Sequence, residues 1–192
     1  GDGVFESQRE FQVADGPSSI ALEELDGDGR SDVAVASIDE DSLTLFLDFN
    51  DGSFGTESLL ATGREPNFIA TADFDGDGIT DIATAEQRSE SIGVFFGLGD
   101  GSFSARRVFP IGLTAVSIAT ADFNGDGLLD LASVDVLEDH ISVVLGPASS
   151  PGFEIGAPRQ PSAVQASDFN NDGIIYLASS NRFTREVSVY FG

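Results

Sequence analysis

Cysteine, methionine, tryptophan and lysine are all absent from this 192-residue sequence, and it contains a single histidine. Without cysteine there is neither a disulfide framework nor a thiolate metal site. All nine basic residues are arginines; they face 33 acidic residues, for a formal charge of −24. That balance disfavours nucleic acid and anionic membranes as partners. No run approaches the 18 apolar residues of a membrane span, so we expect no membrane insertion.

What the sequence does contain is an acidic nine-residue segment that occurs four times. The copies begin at Glu24, Asp73, Asp122 and Asp168, which lie 49, 49 and 46 residues apart. A regular period of this length is typical of one supersecondary unit repeated in a stack or a ring. With 41% hydrophobic residues the chain has enough apolar material for a core. We therefore expect a folded repeat domain whose acidic charge is partly neutralised by cations.

Each repeat contains short runs that are typical of β-strands. In the second repeat, residues 68–72 precede the acidic segment, residues 81–85 and 92–96 follow it, and a fourth run begins near Phe103. Equivalent fourth runs begin near Phe54 and Phe153. Four short antiparallel strands per repeat predict one blade of a β-propeller. We expect one all-β domain over residues 1–192, with four-stranded blades at about 15–62, 63–111, 112–159, and 160–192 plus 1–14.

The two ends of the chain predict how the ring closes. The fourth repeat has three strand-like runs, and residues 1–5 match residues 99–103 of the second repeat. This predicts that the N-terminal strand completes the last blade in a closed ring of four. Two chains sharing a larger ring, or a piece of a longer domain, are the alternatives. The start at Gly1, without an initiator methionine, is expected of a mature or excised domain.

The repeated segment has the form D-x-D-x-D-G-x-x-D, which is typical of a calcium loop. Side chains at positions 1, 3, 5 and 9 and the carbonyl at position 7 can converge on one cation, and glycine at position 6 allows a positive φ. Oxygen donors alone favour Ca²⁺ over zinc or copper, and a flexible loop favours it over Mg²⁺. Position 12 lacks the glutamate of an EF-hand. Ordinary Asp-Gly turns are the alternative reading, which four phased copies disfavour.

These loops, each between two strand-like runs, resemble the FG-GAP repeats of integrin α-subunits, also described as VCBS-like repeats. For the first three repeats the resemblance implies three well-formed Ca²⁺ sites with these ligands: Glu24, Asp26, Asp28, the Arg30 carbonyl and Asp32; Asp73, Asp75, Asp77, the Ile79 carbonyl and Asp81; Asp122, Asn124, Asp126, the Leu128 carbonyl and Asp130. In the fourth repeat Tyr176 stands where the closing carboxylate belongs. The positions that carry over there are Asp168, Asn170, Asp172 and the Ile174 carbonyl, so we expect a weak or empty site.

The resemblance also implies a function. FG-GAP propellers usually meet their ligands on the face opposite the calcium loops, and that face would carry five arginines able to contact an anionic ligand: Arg64, Arg88, Arg159, Arg182 and Arg185. Pairing of these arginines with neighbouring glutamates is the alternative. We expect a secreted or cell-surface adhesion module that binds a protein or a carbohydrate. A lectin-like or accessory propeller of a secreted polysaccharide-degrading enzyme is the alternative. Because the lone His140 has no serine or cysteine partner in the pattern, we expect no catalysis; monomer or dimer is left open.

Overall fold

The computed structural model describes residues 8–50, 53–112, 114–146 and 152–192. These residues form an all-β structure of four antiparallel sheets, which we call blades I to IV. Blades I, II and III have four strands and blade IV has three, and in every blade neighbouring strands follow chain order. The helical content of the described ranges is one 3₁₀ turn, Gln87–Ser89, and none of their helices has the length and apolarity needed to cross a membrane.

The strand bounds of the first two blades are as follows. Blade I consists of β1 Pro17–Glu23, β2 Asp32–Ser37, β3 Ser42–Leu47 and β4 Thr56–Ala61. Blade II consists of β5 Pro66–Ala72, β6 Asp81–Glu86, β7 Ser91–Phe95 and β8 Arg107–Pro110.

The last two blades repeat this order. Blade III consists of β9 Ala115–Ala121, β10 Asp130–Asp135, β11 His140–Val144 and β12 Phe153–Gly156. Blade IV consists of β13 Pro161–Ser167, β14 Tyr176–Asn181 and β15 Glu186–Tyr190.

The fourth strands of blades I and III begin at Thr56 and Phe153, near the predicted Phe54 and Phe153. That of blade II begins later than the sequence predicts, at Arg107 and not near Phe103. Phe103 makes only an isolated bridge with Gly97, because the backbone between them is used for a turn in which Leu98 donates its N–H to the Ser102 carbonyl. The chain therefore makes a turn before strand pairing resumes.

The core of the molecule lies between the blades. The first strand of each blade packs on the first strand of the next, β1 on β5, β5 on β9 and β9 on β13. Between blades I and II, Leu43 and Leu45 of blade I form one buried cluster with Ile69, Ile82 and Phe95 of blade II. Two further clusters join blades II and III and blades III and IV. Because each blade buries one face on each neighbour, the middle strands β6 and β10 are buried along their whole length.

The first strand of blade I is exposed on the side that has no preceding blade. Ile20 holds the same register position in its blade as Ile69, Ile118 and Val164 do in theirs. Those three residues are 5%, 3% and 0% exposed, whereas Ile20 is 61% exposed. We call this side of a blade its incoming face.

The opposite, outgoing face is exposed on blade IV. Val187 is equivalent in register to Leu43, Ile92 and Ile141. Each of those three is fully buried under the following blade, but Val187 is 71% exposed. In the described part of the chain, β1 and β13 do not pack together as the other first strands do. In the described residues the four blades therefore form an arc whose ends, at β1 and at blade IV, expose apolar side chains that are buried in the other blades.

The predicted N-terminal strand, residues 1–5, lies outside the described residues. Residues 8–14 form no strand and contact blade I. The Phe11 ring packs on Phe46 and Phe54, with centroids 6.0 and 5.0 Å away, and the Ala14 carbonyl accepts a hydrogen bond from the Ser37 hydroxyl. Completion of blade IV by the N-terminal strand therefore stays a prediction.

The equivalence of Ile69 and Ile20 provides a matched test of the arc. Ile69→Ala should lower the free energy of unfolding by about 2–5 kcal/mol because it removes buried methyl groups between blades I and II. Ile20→Ala should change it by about 0.5 kcal/mol or less, since Ile20 is exposed. Urea unfolding of both variants measures the difference. Equal losses would mean that the incoming face of blade I is covered in solution.

Candidate metal centres

Four acidic loops connect the first and second strands of the blades, so they lie at the same end of every blade. We call residues 24–32, 73–81, 122–130 and 168–176 acidic loops I to IV. Each loop ends at the first residue of a second strand, which is Asp32, Asp81, Asp130 or Tyr176. The face that carries these loops is called the loop face, and the opposite one the second face.

Hydrogen bonds within each loop turn its carboxylates inward. In acidic loop II, Asp73 Oδ1 accepts from the Gly76 N–H at 2.7 Å and Asp73 Oδ2 from the Gly78 N–H at 2.8 Å. Asp77 Oδ1 accepts from the Ile79 N–H at 2.8 Å. Gly78, at position 6, has a φ of +86°, a value that favours glycine.

The bond from the position 7 N–H to the position 5 carboxylate recurs in all four loops. The donors are Arg30, Ile79, Leu128 and Ile174, the residues whose carbonyls were predicted as ligands. The loops are thus shaped by their own backbone donors.

The aspartate at position 9 is the buried member of each complete loop. Asp32, Asp81 and Asp130 are all 0% exposed. In each case Oδ2 accepts a hydrogen bond at 2.8 Å from the backbone N–H at position 2 of the loop. Asp81 Oδ1 also accepts from the Gly97 N–H at 2.9 Å. One carboxylate therefore connects the acidic loop, the second strand and the turn after the third strand.

Burial makes the charged form of these aspartates unfavourable. It raises the pKa of Asp81 to about 6, although the N–H groups of Gly97 and Phe74 act in the opposite direction. Burial likewise raises the pKa of Asp32 and of Asp130. A bound cation would favour the ionised form and relieve this cost.

Acidic loops I and II bring three carboxylates together. One oxygen from each of Glu24, Asp26 and Asp32 lies within 4.8 Å of the other two, and so do oxygens of their counterparts Asp73, Asp75 and Asp81. Two oxygens bound to Ca²⁺ at 2.3–2.6 Å are at most about 5 Å apart, so both clusters fit this ion.

Acidic loop I has a further carboxylate that sequence reasoning missed. Asp48 lies in the turn between β3 and β4, and one of its oxygens lies within 4.8 Å of oxygens from Asp26 and Asp28. The equivalent positions in blades II and III are Gly97 and Gly146. The signal was available, because aligning the repeats shows an aspartate where the others have glycine.

Acidic loop III has the same frame with an asparagine at position 3. Asn124 Oδ1 accepts from the Asp126 N–H at 2.8 Å, as Asp75 does from Asp77 in acidic loop II. The Gly127 N–H and other loop donors lower the pKa of Asp122. This loop offers three carboxylates and one amide oxygen.

Acidic loop IV is closed by its own side chains. The Tyr176 hydroxyl donates to Asp172 Oδ2 at 2.6 Å, and the Asn170 amide donates to the same oxygen at 2.9 Å. A hydroxyl donor thus stands where the other loops present a carboxylate. Asp168 keeps its usual role and accepts from the Gly173 N–H at 2.8 Å.

The five arginines proposed for the second face form two groups. Arg64 and Arg88 lie together at blade II: the Arg64 guanidinium donates to the Arg88 carbonyl at 3.3 Å, and Arg88 pairs with Glu65 at 2.8 Å. Both are in loops that follow second or fourth strands. Arg88 therefore has an acidic neighbour of the kind that the alternative reading requires.

The second group lies at the end of blade IV. The Arg182 N–H donates to the Gln160 carbonyl, and the Arg185 N–H to that of Asn181, both at 2.9 Å. The Arg159 guanidinium lies 5.7 Å from the centre of the Phe183 ring. The structure thus brings Arg159 and Phe183 together, a pair that the sequence did not connect.

Two buried acids on the second face were also missed. Glu86 and Asp135 are the last residues of β6 and β10 and are 0% and 2% exposed. Glu86 accepts from the Gly63 N–H at 2.7 Å and pairs with Arg106, whereas Asp135 accepts from the Thr114 N–H at 2.9 Å. Each carboxylate thus links the end of the second strand of its blade to the segment that leads into the first strand of that blade. The sequence could have revealed these two acids, because they occupy the same register position when the repeats are aligned.

The blades and loops together define a propeller-like repeat protein with acidic, oxygen-lined loops. A family model for FG-GAP-like repeats matches residues 24–84 and 73–133. These matches cover more than half of the chain, so the chain belongs to the FG-GAP-like repeat family, as the sequence predicts. A search of curated protein sequences finds no significant match.

Solved structures show similar folds. BBS1N in complex with ARL6DN has a TM-score of 0.66 at 14% identity, over 96% of this chain and 54% of that chain. Virginiamycin B lyase from Staphylococcus aureus has a TM-score of 0.56 at 15% identity, over 92% of this chain and 55% of the lyase. The V. cholerae biofilm matrix protein Bap1 has a TM-score of 0.50 at 19% identity, over 88% and 28%. This chain spans about half the length of the first two, and such identities show the fold alone.

The raised pKa of Asp81 predicts an unusual pH dependence without metal. The folded-state value of about 6 exceeds the ordinary 3.8, so the contribution of Asp81 to stability is fully present below 3.8 and is lost as pH rises through 6. In chelator, the melting temperature should fall between about pH 4 and pH 6, the range between the two pKa values. In excess Ca²⁺ the fall should be smaller, because the ion replaces the proton. Thermal melts over this pH range test the prediction. An increase in the stability of the chelated protein with rising pH would contradict it.

Proposed function

We propose that this chain is a calcium-stabilised, extracellular, non-catalytic binding module that recognises a protein partner. The repeat family and the propeller-like neighbours identify a repeat module. Calcium binding, the extracellular location and the protein partner are the further parts of the proposal. The observation that carries it is the convergence of oxygen ligands in acidic loops I and II.

Charge supports the calcium step. The chain has a formal charge of −24, and three of its aspartates are fully buried at the closed ends of acidic loops. Divalent ions would reduce the repulsion among these groups. FG-GAP-like repeats commonly bind Ca²⁺, and the abundance of Ca²⁺ outside cells supports an extracellular location. Metal binding would then be coupled to folding.

The composition of the second face supports a protein partner. Leu137 and Phe183 are 66% and 63% exposed, and with Arg159 they line a cleft of about 230 Å³ between blades III and IV. Aromatic side chains and arginine, here Phe183 and Arg159, are enriched in protein–protein interfaces. One solved neighbour, BBS1N, is itself in complex with a protein, ARL6DN.

The proposal includes a completed fourth blade. Phe11 is equivalent in sequence to Phe109, which packs into the core between blades II and III. Its contact with Phe46 resembles that of the outermost strand of a preceding blade. We propose that this blade is blade IV, which has three strands in the described structure. Completion within one chain gives a monomer of 20.1 kDa, and completion by a second copy gives a dimer.

Removal of calcium should destabilise the protein. With free Ca²⁺ at 100 times the dissociation constant, each site contributes about 2.7 kcal/mol, so chelation should lower the melting temperature strongly. The double substitution Asp75→Asn with Asp77→Asn should abolish one site and reduce the shift. Thermal melts with calorimetric counting of bound ions measure both. No bound Ca²⁺ and no shift would mean that the acidic loops are turns only.

Acidic loop IV supplies the matched control. Tyr176→Asp gives it the same side chains at positions 1, 3, 5 and 9 as acidic loop III. We expect the calcium stoichiometry to rise from three to four per chain. Tyr176→Asn, which loses the same aromatic contacts with Phe169 and Phe191, should leave it at three. A stoichiometry that Tyr176→Asp does not change would contradict the ligand assignment at position 9.

The partner proposal is tested on the second face. Arg159→Ala with Phe183→Ala should reduce capture of a protein partner by about tenfold or more, as expected for a hot spot. Arg107→Ala is the control, because Arg107 also lies over aromatic rings, those of Phe96 and Phe109. Binding to a glycan array that this double substitution abolishes would instead support the lectin-like alternative. Cleavage of any member of a polysaccharide panel would contradict the non-catalytic role.

A further inference from the structure

A second kind of acidic cluster lies on the second face, away from the acidic loops. A cleft of about 320 Å³ opens there between blades II and III. Glu90, Ile111 and Gly112 of blade II line one side, and Glu138 and Glu154 of blade III line the other. Beneath these glutamates lie Asp135 and the single histidine of the chain, which are paired across β10 and β11. We call this place the interblade cleft.

His140 is buried with one ring nitrogen unpartnered. The residue is 8% exposed, and its Nε2 has no hydrogen-bond partner among the described residues. The nearest carboxylate oxygens are too far for a hydrogen bond: Glu154 Oε1 lies 3.9 Å from Nε2, and Glu138 Oε2 lies 4.0 Å from Nδ1. Burying a polar nitrogen without a hydrogen-bond partner is unfavourable, so we expect a ligand at this atom.

Asp135 presents a second ligand atom to the same space. Its Oδ1 already accepts from the Thr114 hydroxyl and from the N–H groups of Leu137 and Glu138, each at 2.8 Å. Among the described residues, its Oδ2 accepts one hydrogen bond, from the Thr114 N–H at 2.9 Å, and a carboxylate oxygen can accept a second. These hydrogen bonds fix the position of the carboxylate at the end of β10.

Gly112 closely bounds the space in front of these two atoms. A Cβ at this position would lie 2.3 Å from Asp135 Oδ2 and 2.7 Å from His140 Nε2. Any side chain would therefore collide with both potential ligand atoms. The absence of a Cβ lets the Gly112 backbone pack against the imidazole and the carboxylate without displacing them.

We propose that Asp135, Glu138 and His140 form a binding site for a borderline divalent transition-metal ion of the Zn²⁺ class. One ligand atom from each residue lies within 4.8 Å of the other two, and small side-chain shifts bring them to the shorter spacing of a zinc site. An imidazole nitrogen with two carboxylates suits zinc, whereas the acidic loops offer oxygen alone. Glu154 lies beside this group, with its Oε1 3.9 Å from Nε2.

The single histidine makes the test specific. In uniformly ¹⁵N-labelled full chain, the imidazole region of a ¹H–¹⁵N spectrum contains one residue's signals. Excess Ca²⁺ is added first, so that the acidic loops are saturated, and Zn²⁺ is then titrated in. We expect the His140 ring nitrogens to shift and saturate at one Zn²⁺ per chain. Ring signals that Zn²⁺ leaves unchanged would overturn the proposal.

Variants separate a built site from adventitious binding to one imidazole. Glu138→Gln and His140→Gln should each weaken Zn²⁺ binding by about tenfold or more, measured by calorimetry in excess Ca²⁺. Gly112→Ala should weaken it by closing the space, and a thermal melt checks that this variant folds. Glu57→Gln, which removes an exposed carboxylate on β4, is the charge-matched control and should have no effect. If Glu57→Gln and Glu138→Gln weakened Zn²⁺ binding equally, the loss would be an effect of net charge alone, and the proposed site would be wrong.

Discussion

The buried aspartate that ends each complete acidic loop is the constraint on which the blade depends. Asp81 is the first residue of β6, and it accepts one hydrogen bond from Phe74 inside the loop and one from Gly97 beyond β7. Three segments distant in sequence therefore meet at one carboxylate. Its burial raises its pKa and so favours a cation beside it. The geometry of the sheet and the preference for a cation thus have the same origin.

The second constraint is the pairing of blade faces. Small and aliphatic residues of one outgoing face, such as Ala83 and Ile92, pack on the incoming face of the next blade, represented by Ile118 and Leu131. Every blade carries both faces, so an arc of four blades always has one of each unpaired. The exposed Val187 on blade IV is the counterpart of residues that are fully buried elsewhere. At the other end of the arc, Ile20 on β1 is the exposed counterpart of residues buried in the other blades.

Local pattern is sufficient to predict the repeat, most of the strand runs and the place of the acidic loops between first and second strands, because each depends on residues adjacent in sequence. It is insufficient for contacts made across turns. Asp48 joins acidic loop I from the turn after β3, and Asp135 meets Thr114 from the preceding connection. The late start of β8 at Arg107 follows from a turn that the strand-like run around Phe103 conceals. In each case tertiary geometry decides what the local sequence leaves open.

Acidic loop IV shows how one copy of the repeat can hold its shape without the closing carboxylate. Asp168 and Asp172 keep the loop's backbone hydrogen bonds, and the Tyr176 hydroxyl donates to Asp172 in place of a cation's contact. The ring of Tyr176 also packs against Phe191, with centroids 5.6 Å apart. A neutral donor and an aromatic contact thus take the place of the closing carboxylate. The backbone of acidic loop IV therefore keeps the turn of the other loops through contacts among its own side chains.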